Sequence, residues 1–288
     1  VAVSLTLWGL TSLWQKRTFA TLLWTLFYLA ATLCIGVGLV ASWSRGAWFG
    51  AVAGVVVVLA FFNRRTALLL GFGALAFMVT ALLGTINPNW IPTAITARIG
   101  DIPAYLGFVD VLSMEVNDDN FAIIERVAHW VAALRMWELS PWLGVGPGNY
   151  ATIYSSVALP RWSNPLGHAH NIYLNVLGET GILGITAFLL LWAFLIGWLL
   201  QLMRKALPSQ SWARALATGV LGVLAHLAIH SFFDNLFVQG MYLHLAFWLA
   251  AVAAMLPTTG SISVSISGQL PGEMHSLNSS TLISESDG

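Results

Sequence analysis

The segment HAHNIYLNVLGETGILG, residues 168–184, sets two histidines, an asparagine and a glutamate at the start of an otherwise apolar helix. A neutral histidine such as His170 can take a proton from a hydroxyl near neutral pH, which is general-base chemistry. Asn171 is a competent helix N-cap. Glu179 is an acid inside an apolar run, where ionisable groups are kept for function. His168 and His170 alternate as a metal pair can, but no second cluster with ligand spacing accompanies them in the preceding loop. No metal is therefore expected.

Two further groups suit anions and proton handling. Arg45, in SWSRGAWFG (42–50), either snorkels to headgroups or anchors a phosphate, for which its planar fork is suited. In ERVAHWVAALRMWEL (125–139), Arg126 and His129 share a helical face, as do Arg135 and Glu138. Arg126 and Arg135 are about half a circle apart, so one of them is expected to be structural, and Arg126 is the functional candidate. His226, His230 and Asp234 follow at i, i+4 and i+8, giving a second carboxylate/histidine pair, a proton relay or a polar packing stripe. There is no GxxxxGK[ST] loop, and Asp118-Asp119 alone does not make a Mg²⁺-diphosphate site. Neither ATP-driven chemistry nor a cofactor is therefore expected.

The elements that must position these groups are membrane helices. The 288 residues are 58% hydrophobic and 8% charged. A soluble domain carries roughly 25% charged residues. Formal net charge is zero, which gives no electrostatic signal for nucleic acid. A spanning helix needs about 20 apolar residues. Runs that approach this are 19–41, 46–62, 67–84, 172–203, 212–233 and 236–256. The opening 1–14 reads as the end of a further span, without the basic start and cleavage site of a signal peptide. This suggests a piece of a longer chain. From 257 to 288 the composition turns to Ser, Thr and Gly and reads as a disordered tail.

Basic residues set the expected orientation. Lys16/Arg17, Arg64/Arg65 and Arg204/Lys205/Arg214 fall in alternate short connections, as cytoplasmic loops do. The tail is then cytoplasmic, and one long loop, 85–171, is extracytoplasmic. On that outer side lie Arg45, Arg98, Arg126, Arg135 and Arg161, all arginine, with nine of the twelve acidic residues. A loop this long is functional or disordered, and it is too rich in Trp, Ile and Leu for disorder. It contains the 125–139 helix and a glycine-rich turn, GVGPGNY (144–150). Ser140-Pro141 ends that helix.

SRGAW, then R-x-x-x-W followed by SPWLGVGPGNY, then HAHNIYLNVLGETGILG, then HSFFDN occur in that order. Together they resemble the C-terminal part of the O-antigen ligase/polymerase superfamily of bacterial membrane proteins, over roughly residues 20–256. The resemblance implies an all-α multi-span bundle of GT-C type in the cytoplasmic (inner) membrane. It implies a metal-independent, inverting glycosyltransferase that moves a glycan from an undecaprenyl diphosphate carrier to a glycan, lipid or protein acceptor at the outer face. It assigns Arg45 and Arg126, with Arg135 less securely, to the substrate diphosphate. It assigns His170 and Glu179 to catalysis, with His168 a less secure match; Asn171, His230 and Asp234 are supporting candidates on their own chemistry and spacing. Two alternatives remain. One is a polysaccharide polymerase of the same superfamily, joining lipid-linked units. The other is a transporter of bicarbonate or another small anion, as suggested for some cyanobacterial relatives. Transporters place their sites near the midplane between repeats, whereas these ionisable groups gather at one face. A scaffold role in envelope assembly would leave His170 and Arg126 dispensable.

Overall fold

The computed structural model describes residues 1–62, 113, 115–118, 120–205 and 211–255, with single positions at 65, 68, 69, 72, 73 and 76. The expected span 67–84 (apart from those single positions), the loop around Arg98 and the tail 257–288 lie outside the described residues. Among the described residues the chain is helical, without strands, and its apolar helices make it a multi-pass membrane protein.

In chain order the helices are α1 (Ala2–Lys16), α2 (Phe19–Ala41), α3 (Arg45–Phe62), α4 (Phe121–Leu139), α5 (Tyr150–Val157), α6 (Ile172–Lys205), α7 (Ser211–His230) and α8 (Met241–Met255). A 3-10 turn, Leu236–Gln239, precedes α8. Of these, α2, α3, α6 and α7 are long and apolar enough to cross a membrane. Local chemistry sets several ends. The Thr18 hydroxyl accepts the Thr21 amide hydrogen at the start of α2, and the Ser44 hydroxyl accepts that of Ala47 at the start of α3. Each satisfies an amide that has no partner within its helix. Pro141, two residues beyond Leu139, prevents α4 from continuing.

α7 is the most buried of the four apolar helices, and it crosses α3 at close range. Gly46, Gly50 and Gly54 of α3 lie against His230, His226 and Gly222 of α7. A Cβ on Gly54 would stand 2.6 Å from the Gly222 carbonyl oxygen, so only hydrogen fits there. Between membrane helices, where lipid is as apolar as leucine, such backbone proximity supplies the packing. The crossing also sets the start of α3 against the end of α7, because Gly46 lies on the His230 ring one residue after Arg45.

α6 is broken at Gly181 (φ 63°, ψ −165°). The break leaves helix carbonyls and amides without their usual partners, and in a membrane protein these need others. The segment 141–146 supplies them. Val145 and Gly146 donate to the carbonyls of Gly178 and Glu179 (3.0 and 2.9 Å), while Ile182 donates to Pro141 O (2.9 Å) and Leu183 to Trp142 O (3.3 Å). Gly144 (φ +66°) and Gly181 meet the opposing backbone so closely that neither position admits a Cβ. The remaining α6 segment, 182–205, is still long enough to span at about 1.5 Å per residue.

The α3–α7 contact predicts a specific sensitivity. Gly54→Ala should destabilise the protein by about 1–3 kcal/mol through overpacking. At Gly36 a Cβ meets nothing within 4 Å, so Gly36→Ala should be neutral or slightly stabilising. Thermal unfolding in detergent compares the two, and equal melting temperatures would contradict the packing account.

Candidate functional site

Three elements converge at the start of α6. The loop before it is held by its own polar groups: the His170 amide donates to His168 Nδ1 (3.2 Å) and the Ala169 amide to Asn175 Oδ1 (3.0 Å). Asn171 is the N-cap, its Oδ1 accepting from Tyr173 and Leu174 (3.0 and 3.1 Å), the role its side chain suits. His170 itself has φ +50°. This is a left-handed conformation, uncommon outside glycine. It persists only where the surroundings enforce it.

The second element is the end of α7. The helix stops at His230, so the expected i, i+4, i+8 stripe does not run on as helix to Asp234. Backbone bonds from Phe232 to Ile229 O and from Phe233 to His230 O close a turn instead. The turn carries Asp234 to the α6 loop, where Oδ1 lies 3.3 Å from His170 Nδ1. By distance the two are paired; by angle His170 Nδ1 has no aligned hydrogen bond. The contact is therefore charge proximity more than a well-formed bond. Hydrogen bonding from His170 is still the largest effect on Asp234 and holds its carboxyl down to about 2, against the opposing effect of burial. A carboxylate facing Nδ1 favours the tautomer with its proton there. This leaves the other nitrogen, Nε2, as a lone pair without a hydrogen-bond partner.

The third element is α4. Its buried face carries Ala128, His129, Ala132, Ala133 and Met136, and the half-buried Arg126 lies within electrostatic reach of His230. His129 is packed edge-on against His170, with ring centroids 5.7 Å apart. Its Nδ1 is 2.9 Å from the Tyr150 hydroxyl, which also donates to the His129 carbonyl (3.1 Å). Because the tyrosine has one proton to give, His129 Nδ1–H is the donor to it. Burial, then the His170 and His168 charges, push His129 down to about 4. Its ring is therefore neutral at pH 7. Burial also raises the Tyr150 and Tyr154 hydroxyls above their ordinary value.

The structure redistributes several expected roles. Glu179, which the resemblance assigns to catalysis, accepts the Tyr150 amide (3.0 Å) at the N-terminus of α5. A carboxylate is stabilised there by the helix dipole. The break at Gly181 leaves Glu179 near the end of a short leading segment of α6. Arg135, grouped with the diphosphate ligands, donates from Nη1 to Val157 O (2.9 Å) at the end of α5. Its position in the sequence puts it on the other side of α4 from Arg126. Arg45 and Arg126 remain at the end of the bundle that holds His230 and His170. His129, Tyr150 and Tyr154 were not singled out as site residues. The i,i+3 spacing of His129 from Arg126 was the available signal, whereas nothing local marks the tyrosines.

His168, His170 and Asp234 offer ligand atoms within 4.8 Å of one another, a spacing a cation could use. The histidine tautomer works against it. His168 Nδ1 accepts an amide hydrogen, so its proton sits on Nε2, whereas a metal-bound histidine donates through its second nitrogen.

A family model described as O-antigen ligase matches residues 29–189, more than half of the chain. The match includes Arg45, Arg126, Arg135, His168, His170, Asn171 and Glu179, and it ends before His230 and Asp234. No curated protein matches the chain.

The neutral His129 predicts a pH signature. Its value falls from an ordinary 6.5 to about 4 on folding. Between these values the unfolded chain binds a proton that the folded protein does not, so stability falls as pH drops through that window. His129→Phe should flatten this slope of melting temperature against pH. An identical slope in the two proteins would contradict the burial of a neutral imidazole.

Proposed function

The chain belongs to the O-antigen ligase family, and from that premise we propose that it is a membrane glycosyltransferase of the ligase type. Its donor is a glycan on an undecaprenyl diphosphate carrier. Its acceptor is a hydroxyl of a glycan, lipid or protein at the outer face of the bacterial cytoplasmic membrane. The observation that carries this reading is the His170–Asp234 pair, with Asp234 facing Nδ1 and Nε2 without a hydrogen-bond partner.

Nε2 removes the acceptor hydroxyl proton as the oxygen attacks the anomeric carbon. The new C–O bond forms as the bond from that carbon to the diphosphate oxygen breaks, and in-line attack inverts the centre. The electron pair leaves with the lipid diphosphate, where Arg45 and Arg126 meet the developing charge. Asp234 stabilises the imidazolium through its charge, as a carboxylate does behind a histidine base. The proton then returns to solvent or to the departing diphosphate. Because the charge is met by arginine and the energy comes from the activated donor, the reading requires no metal and no nucleotide. His230 and His168 line the site, Asn171 caps the helix behind His170, and Glu179 holds the α5 layer over it. On this reading the long loop lies outside and the C-terminus inside, with the arginines at headgroup level.

The test is glycan transfer in proteoliposomes supplied with a lipid-linked oligosaccharide and an acceptor. His170→Ala should lower kcat by about a hundredfold or more. Asp234→Asn should lower it by a smaller factor, and Arg126→Ala should weaken use of the diphosphate donor. Full transfer by His170→Ala would refute the assignment.

A further inference from the structure

His129 is 1% exposed, is packed on His170 and takes no part in the transfer chemistry above. We propose that His129 is a positioning residue: a tyrosine-braced imidazole forming the wall against which the His170 ring is held. The inference rests on the reading of His170 as the base.

The geometry leaves His170 in need of such a wall. Its contact with Asp234 is 3.3 Å long and not aligned. Such a contact is too loose to fix the ring alone. The ring is instead lodged between two others, His168 with centroids at 4.3 Å and His129 at 5.7 Å, both inclined edge to face. His168 sits on the same loop and moves with it. His129 belongs to α4 and is held from two further directions. Its ring stacks on Tyr154 at 4.7 Å and 21°, and its Nδ1–H bonds the Tyr150 hydroxyl. Each tyrosine is anchored in turn, Tyr150 on the His129 carbonyl and Tyr154 on that of Trp162 (2.8 Å). A chain of packed rings thus ties the base to the backbone of α4 and to the segment after α5.

The wall has to be uncharged. When His170 takes a proton, the groups about it are Asp234 from the turn, His168 from its own loop and His129 from α4. His230 of α7 and Arg126 of α4 stand within electrostatic reach of each other. Asp234 is the one acid among these, so a second cation at His129 would oppose protonation of His170. The His129 Nδ1–H is taken up by the Tyr150 hydroxyl and its ring is stacked on Tyr154, which leaves it the role of holding the His170 ring.

Three substitutions separate a ring wall from a hydrogen-bonding fold element. His129→Phe keeps a ring and loses the bond to Tyr150; His129→Gln keeps a donor and loses the ring; His129→Ala loses both. The proposal expects His129→Gln and His129→Ala to lose about a hundredfold in kcat, the scale of a misplaced catalytic group. KM for the lipid-linked donor should stay unchanged, and His129→Phe should retain most of the activity. A ¹⁵N-histidine NMR titration of His170, which needs no transfer reaction, should show a wild-type midpoint in His129→Phe and a displaced one in His129→Ala. The proposal is overturned if all three variants match wild type, if all three fall equally, or if Gln outperforms Phe. Full transfer by His170→Ala would instead remove the base reading, and the titration would still decide whether His129 positions the ring.

Discussion

A backbone hydrogen bond, from the Ile172 amide to the Ser231 carbonyl at 3.0 Å, joins the polar segment before α6 to the one after α7. Both groups lie at helix ends, where the first amides and last carbonyls lack partners within their own helix. The pairing satisfies each and leaves the start of α6 docked on the end of α7. The Tyr173 hydroxyl repeats the tie one residue later by donating to the Ala228 carbonyl (2.7 Å). Once that joint is made, His170 precedes it by two residues and Asp234 follows it by three, and they face each other. The site is thus a consequence of how two helix ends satisfy their backbones.

The remaining architecture preserves the joint. On one side, the glycine face of α3 sets α7 at close range and brings Arg45 to the level of His230. On the other, the break at Gly181 lets segment 141–146 pair with α6, and Glu179 then caps α5. That cap holds Tyr150 and Tyr154 beneath His129. A polar layer in a bundle of this composition is stabilised by being nearly fully bonded, because unpaired buried groups are costly. His170 and the His230 Nδ1 atom are conspicuous as buried groups without aligned partners. Groups left that way at the mouth of a membrane bundle are suited to receive a ligand.

The sequence made the all-α membrane class legible, because long apolar runs leave a chain no other way to satisfy its backbone in lipid. Residue chemistry also marked His170, Arg45 and Arg126 without any contact being known. What stayed hidden was partnership. Asp234 was read on a helical stripe with His230, because nothing in HSFFDN announces that α7 stops at His230. The bond between Glu179 and α5 stayed hidden because GETGILG keeps helical periodicity across a position whose backbone is not helical. The glycines around Glu179 were the available hint, since a break needing φ > 0 selects glycine. The stack of His129, Tyr150 and Tyr154 spans more than twenty residues of chain, and no local pattern encodes such a contact.

The central claim is that His170 and Asp234 act as one unit across the α6–α7 joint. A double-mutant cycle on the glycan-transfer rate, with His170→Ala, Asp234→Asn and the pair, tests it most directly. The account predicts that the double variant is no slower than His170→Ala, because Asp234 acts only through the charge on His170. Effects that multiply, with the double variant slower by the product of the single losses, would contradict it.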